Sequence, residues 1–568
     1  MLSKFIPRIF LGLLFSLSFL FATNLAQLAN DPTWQALLFY DPHEKKSEIV
    51  DPSYFLAPRS FWSPLQELKA TIKAYYRPIP KNPNDHPRCR FPARYYWLNK
   101  KVDLKDYSVI PPFCKDLKKS FSQNHIKSVS LIFASSYLGN PASSFGHTFI
   151  KLNKKIEGTD LLDFSINYGA IIPKHENIFR YVFYGLAGFY KAQFKDKYFY
   201  TQDFVYSNME MRTLWEYELN LDDEELLFYL LHVWEFSHKD FKYLFLSKNC
   251  GYEVLRSLQI VLPKKIKRPF LWYAPKENLY YLASLDPNKI ASIKLHEASD
   301  KIVYRTYQKL PKKLRHLITT YLPNDLDALL EQNLSIDQSQ KLLDFLLSYY
   351  NYKALKHRKK YDEQKYKILK KRLFLPPKKS EPIPIPKKIP PHLTSPMSQI
   401  YGGYESSNKA FLGYTTYRST PLTYNDSIDH GVELFSFKLF RHSLEATLFD
   451  VEQFDTYTLP FEDEFRFSWK LAVGYNDGFY ATLGLGKTLY HKDDRFLLYM
   501  LPYLHLSSDS RADLEFGAIF NLDRLRLRLR IDRKHSAKIE SRFFFTKSFA
   551  LFAKAQKNSA TMALEYYF

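Results

Sequence analysis

The chain changes its hydrophobic period several times, and each change predicts a different kind of element. Residues 9–22 run apolar behind Lys4 and Arg8, with small residues at Ala22 and Ala26. A basic start, a short apolar core and small residues at its end predict a secretory signal over residues 1–26. The apolar core falls short of the ~20 residues that a spanning helix needs. Residues 27–122 predict a helical, loop-rich module, because Trp34, Leu37, Leu38 and then Phe61, Leu65, Leu68 and Ile72 recur at helical spacing. Residues 123–265 mix periods. Short apolar or alternating runs at 128–134, 145–153 and 161–167 predict strands. Residues 212–219 and 222–237 predict helix, the second opening on Asp222, Asp223, Glu224 and Glu225, acidic residues that suit a helix start. A further helix is predicted over residues 250–260.

Residues 266–370 predict a basic helical region, and 371–397 a Pro- and Lys-rich spacer that is extended rather than packed. From 398 to 568 the pattern alternates in segments of eight to twelve residues. Arg524-Leu525-Arg526-Leu527-Arg528-Leu529-Arg530-Ile531 is the clearest of them. About twelve such segments predict an antiparallel β-barrel with apolar residues outward and polar residues in the lumen. A soluble barrel or sandwich is the alternative. The fold class is therefore multidomain, α+β followed by all-β.

Composition narrows this picture. The 568 residues exceed one hydrophobic core. The net charge of +22 is concentrated in residues 301–390. Such charge is often read as a nucleic-acid footprint. An exported chain meets anionic lipid headgroups instead, and a solvated helical face accounts for the charge equally well. No nucleic-acid partner is expected. Three cysteines in an oxidising compartment imply one bridge and one thiol left over. Cys89 and Cys114, both among prolines and polar residues, are the expected pair, which leaves Cys250 as the unbridged thiol.

Candidate chemistry gathers in two segments. Gly139-Asn140-Pro141-Ala142-Ser143-Ser144-Phe145-Gly146-His147-Thr148 sets a histidine at the start of a strand after a tight turn. Asn249-Cys250-Gly251-Tyr252 sets a thiol where a helix begins. A thiol becomes a nucleophile through a base, and a helix start favours its thiolate. No HExxH or paired-Cys spacing is present, so neither metal nor cofactor is expected.

Residues 139–149, 161–170, 212–219 and 249–255 resemble the Lnb N-terminal periplasmic domain family, and Cys89-Arg90-Phe91-Pro92-Ala93-Arg94 resembles the module that often precedes it. The resemblance covers roughly residues 80–260, and the tail is similar to the barrel that commonly follows. It implies an NlpC-type, papain-like thiol fold in permuted order, histidine before cysteine, as in lecithin retinol acyltransferase-like proteins. Cys250 is then the nucleophile and His147 the base. A third, orienting residue is expected on the next strand, Asn167 first and Ser165 second. Asn249, Asn140 and Ser144 are candidates for substrate or oxyanion contacts. The implied activity is acyl transfer or hydrolysis in the periplasm at the outer membrane, on a phospholipid or lipoprotein. A peptidoglycan peptidase or amidase, and a non-catalytic barrel protein, are the alternatives.

Overall fold

The structure is a computed structural model. It describes residues 25–568 other than 103, 105–107, 140–142, 156–159, 174, 270–271, 358, 378–387, 407–408, 426, 463–465 and 534–535. Residues 1–24 of the secretory-signal reading, Asn140 and residues 378–387 of the Pro/Lys spacer lie outside the described residues. The described end of the spacer corrects the extended, unpacked expectation, since Pro391, Thr394, Ser395 and Met397 are buried and Lys388 pairs with Asp494 at 3.2 Å. The chain divides into two compact units: residues 1–136, 145–205 and 214–296, and residues 137–144, 206–213 and 297–568.

The first unit joins the N-terminal module and the α+β region around one core. Its N-terminal module includes α1 (Pro32–Leu37), α2 (Pro64–Tyr75), α3 (Pro92–Lys101) and α4 (Lys115–Asn124). Trp34 stacks on Trp97 at 5.3 Å. Fully buried Arg94 pairs with Glu67 and, at 3.3 Å, with Glu235. Cys89 and Cys114 form a disulfide in this module.

A seven-stranded antiparallel sheet follows, built from β1 (Ile126–Ala134), β2 (His147–Lys154), β3 (Phe164–Ala170), β4 (Lys191–Tyr198), β5 (Leu214–Leu219), β6 (Phe241–Lys242) and β7 (Ile290–His296), in the order β6-β4-β3-β2-β1-β5-β7. One face carries Val129, Leu131, Ile150, Leu152, Ile166, Tyr168 and Tyr217 into the core. Against it pack α6 (Asp223–Phe236), which opens on a capping box of Asp222 and Glu225, and α7 (Cys250–Ser257). The unit also contains α5 (Ile178–Ala187) between β3 and β4, and α8 (Glu277–Ala283).

Residues 214–219 correct the helical expectation, because they form β5. Trp215, Tyr217 and Leu219 enter the core. Glu216 and Glu218 alternate with them and point to the sheet's other, polar face. There Ser130 donates to Glu216 at 2.8 Å, and Lys151, 3% exposed, lies between Glu216 (3.2 Å) and Asp163 (3.3 Å). His296 of β7 closes on Glu216 at 2.8 Å, so part of the region read as helical is the sheet's edge strand.

The second unit contains α9 (Ser299–Lys309), α10 (Lys312–Tyr321), α11 (Ile336–His357) and α12 (Asp362–Leu373). These helices share a core of Val303, Leu314, Ile318, Phe345 and Leu346 with Leu459 and Phe461. Twelve antiparallel strands then close a barrel: β8 (Gln399–Glu405), β9 (Lys409–Ser419), β10 (His430–Phe440), β11 (Leu444–Gln453), β12 (Ser468–Asn476), β13 (Phe479–Lys492), β14 (Phe496–Leu506), β15 (Arg511–Leu522), β16 (Leu525–Asp532), β17 (Ala537–Thr546), β18 (Phe549–Gln556) and β19 (Ser559–Tyr567). β8 pairs with β19, Gln399 opposite Tyr567.

The barrel is polar inside and apolar outside. In β16 Arg526 and Arg528 are buried while Leu527 between them faces outward. Within the lumen Arg528 makes two 2.9 Å bonds to Glu452, Arg418 grips Glu433 at 2.8 and 2.9 Å, and Arg530 meets Glu540 at 2.7 Å. A cavity of about 710 Å³ runs among such residues. Leu412, Leu439, Leu483, Leu485 and Leu564 are exposed on the outside. This alternation turns charged side chains into the lumen and many leucines outward, with Phe411 and Phe552 lining the cavity among the charges. Among the described residues no helix is long and apolar enough to cross a membrane.

Candidate active site at the start of β2 and α7

The two candidate segments meet at one rim of the sheet. Gly146 has φ +89°, and an added Cβ there would lie 2.6 Å from the Phe133 ring and 2.9 Å from the Ala134 carbonyl oxygen. Only glycine turns the chain there at this proximity to β1. His147 then opens β2, paired with Ala134. Gly251 is equally constrained, since a Cβ would lie 2.8 Å from Pro275 Cα.

The next residue, Thr148, makes the junction. Its hydroxyl donates to the Cys250 carbonyl at 3.3 Å. Asn278 of α8, fully buried, donates to Thr148 Oγ1 at 3.3 Å and to the Gly251 carbonyl at 2.9 Å. The backbone of His147 is therefore one residue from a hydrogen bond to the backbone of Cys250. Strand alternation turns Thr148 toward α7, and the half-buried His147 ring lies 6.1 Å from that of Phe149. Sequence reasoning missed Thr148 and Asn278. The only available signal was the position of Thr148 on the alternate face of the strand that carries His147.

Cys250 is the first residue of α7, half-buried and outside the disulfide. A helix start concentrates N–H groups and positive potential, which favours an anion on sulfur or on a substrate oxygen. Asn249 is the cap. Its carbonyl oxygen accepts from Gly251 N–H (2.9 Å) and Tyr252 N–H (3.3 Å), and its amide donates to the carbonyls of Phe245 (3.0 Å) and Tyr273 (2.8 Å). Both amide hydrogens are committed, which corrects the expectation that Asn249 reaches an oxyanion: it is a positioning residue. Two tyrosines lie within electrostatic reach of the thiol. Burial first, then the charge of a Cys250 thiolate, hold the Tyr243 hydroxyl protonated far above the ordinary tyrosine range. Burial, then Glu253, does the same for Tyr168. The Tyr168 hydroxyl is buried with no hydrogen-bond partner among the described residues.

Asn167 and Ser165 lie on the face of the sheet that His147, Phe149 and Lys151 share, since Ser165 pairs with Lys151 across β3 and β2. Asn167 Nδ2 donates to Ser165 Oγ at 3.0 Å, Ser165 donates to the Lys197 carbonyl at 3.0 Å, and Asn167 Oδ1 is buried with no partner among the described residues. Ser144 is half-buried in the turn before His147. Among the described residues no cluster of His, Cys, Asp or Glu is arranged to hold a metal.

Beneath α7 lies a buried charge cluster. Glu48 is 3.5 Å from Arg256 and 3.7 Å from Lys248. Burial, and then Glu48, raise the Glu253 carboxyl well above the usual carboxylate range. This cluster ties the thiol's helix to the N-terminal module.

Fold and site together define a class: an α+β domain with a thiol at a helix start, followed by a closed barrel with a polar lumen and apolar exterior. Residues 116–276 match the family described as the Lnb N-terminal periplasmic domain. Residues 26–101 match a domain of unknown function, DUF7843. Residues 116–276 are thus similar to an Lnb N-terminal periplasmic domain, and a closed barrel follows them along the chain. A search of curated proteins finds no match.

Proposed function

We propose that the chain is a periplasm-facing thiol acyltransferase or acyl hydrolase, with Cys250 as nucleophile and His147 as base. The observation that carries this reading is the Thr148–Cys250 hydrogen bond, which sets the start of the histidine strand against the start of the cysteine helix. The match to a periplasmic domain family supports the compartment. The apolar outer surface of the barrel supports anchoring in the outer membrane.

The chemistry follows from the parts. The His147 ring, which strand alternation sets on the sheet face opposite Thr148, turns around the open rim at the start of β2 to accept the Cys250 proton, and the thiolate attacks an ester carbonyl of a phospholipid. The oxyanion is stabilised at the start of α7. As the tetrahedral intermediate collapses, the C–O bond breaks and the leaving alkoxide takes the proton from the imidazolium. The resulting thioester is then attacked by an amine, such as a lipoprotein N-terminus, or by water, and the thiol is regenerated. Asn167, on the His147 side of the sheet, is the proposed orienting residue. Aromatic rings around the site suit an acyl chain: Phe145 lies 5.8 Å from Phe245 and 6.2 Å from Trp272.

The test offers the reconstituted protein a radiolabelled phospholipid and a muropeptide in parallel. Release of lysophospholipid that is lost in Cys250→Ala supports the proposal. Cysteine-dependent muropeptide cleavage without lysophospholipid assigns the peptidase instead. Full rescue of a deletion phenotype by Cys250→Ala identifies a non-catalytic barrel protein.

A further inference from the structure

The excursion between β3 and β4 carries a surface that the proposed chemistry does not use. α5 turns Phe179, Val182, Phe183 and Leu186 outward at spacings of one helical face, exposed by 82, 40, 61 and 46%. Its inward side is Tyr181, Tyr184 and the buried Gly185. A helix on a water-soluble domain buries its apolar stripe and exposes its polar one. Here the order is reversed. Ile172 before the helix and Phe189 after it extend the patch.

The helix is not loosely attached. Phe245 N–H donates to the Gly185 carbonyl at 2.9 Å, and Tyr243 N–H to the Tyr190 carbonyl at 3.1 Å. The Phe245 carbonyl in turn accepts from Asn249, the cap of the cysteine helix. The exposed face is thus two hydrogen bonds from the residue that positions Cys250.

We propose that the outer face of α5 lies in the interfacial layer of a phospholipid leaflet and holds the Cys250 rim at the lipid surface. The residue types fit that occupant. Phenylalanines and aliphatic side chains face out, and the exposed Arg180 guanidinium, 4.7 Å from the Tyr184 ring and 3.5 Å from Glu176, lies beside them at the level where headgroup phosphates would sit. The six outward side chains expose roughly 600 Å², at the upper end of the ~300–600 Å² of the largest patch on a typical soluble monomer, a patch that is often functional. A standard interface with a second copy takes about 800 Å² per partner, more than this patch supplies. The outside of the barrel, in the same chain, is likewise apolar, as a lipid-facing surface requires. The proposal does not require Cys250 to be a nucleophile.

The test places an environment-sensitive fluorophore on Phe183→Cys, in the full chain carrying Cys250→Ala, reconstituted into phosphatidylethanolamine–phosphatidylglycerol vesicles. Lys69→Cys on α2 is the solvent-exposed reference. The expected result is blue-shifted emission at 183, quenched by nitroxide-labelled lipids, with neither effect at 69. Emission at 183 that matches 69 overturns the proposal. So does a blue shift without lipid quenching, accompanied by crosslinking between chains, which identifies a second copy as the occupant. Because the reporter chain lacks the thiol, failure here leaves the acyl-transfer reading to its own assay.

Discussion

Replacing Asn249 by alanine is the sharpest structural perturbation of the site. The substitution removes the cap of α7, worth about 1 kcal/mol. It also orphans the carbonyls of Phe245 and Tyr273, at about 1 kcal/mol or more each. The total is about 3 kcal/mol. Six of the seven tryptophans lie in the first unit, so tryptophan fluorescence during urea unfolding reports mainly on it. With an m value of about 3 kcal/mol/M for a unit of this size, the midpoint should fall by about 1 M. Asn249→Asp keeps the acceptor and loses both donors, so it should fall about two-thirds as far. An alanine variant within about 0.2 M of the parent chain would refute the claim that this side chain holds the helix start in place.

Further perturbations test other parts of the account. Lys151→Met leaves Glu216 and Asp163 buried without their shared ammonium and should cost about 3–5 kcal/mol in the same unfolding assay; a loss below about 1 kcal/mol would contradict the packing. Burial pushes the Glu216 carboxyl up, but His296 and Lys151 outweigh it and bring it from 4.5 down to about 2. Its stabilisation is therefore fully present above about pH 4.5 and lost as the pH falls through about 2, and Glu216→Gln should flatten that part of the stability profile. Cys89 and Cys114 close a loop of 25 residues, so reduction should lower stability by about 3.5 kcal/mol on the chain-entropy estimate; unfolding curves with and without reductant decide it. Leu485→Arg, on the barrel's outer face, should cost about 2–4 kcal/mol in bilayers if that face meets the hydrocarbon core. An unchanged unfolding midpoint in vesicles would place that residue outside it.

The barrel was legible because its rule is local. A period of two along Arg526, Leu527 and Arg528 assigns each side chain to lumen or exterior without knowledge of any other strand. β5 was not legible for the opposite reason. Glu216 finds Ser130, Lys151 and His296 at separations of 86, 65 and 80 residues. Without those partners, two glutamates beside aromatics read as helix. The site divides in the same way. Glycine before His147 and Cys250 at a helix start follow from local turn and capping rules. The commitment of Asn249 to Phe245 and Tyr273, and the link through Thr148 and Asn278, arise only when distant segments are packed together. The exposed stripe of α5 shows the helical period in the sequence, but which side faces outward is decided by Phe245 and Tyr243.

The most direct measurement is intact-mass and peptide mass spectrometry of the protein incubated with a phospholipid and no amine acceptor. The account predicts a thioester-linked acyl mass on Cys250, absent from Cys250→Ala and strongly reduced in His147→Ala. An adduct on another residue, or none on Cys250 while lysophospholipid is released, would contradict it.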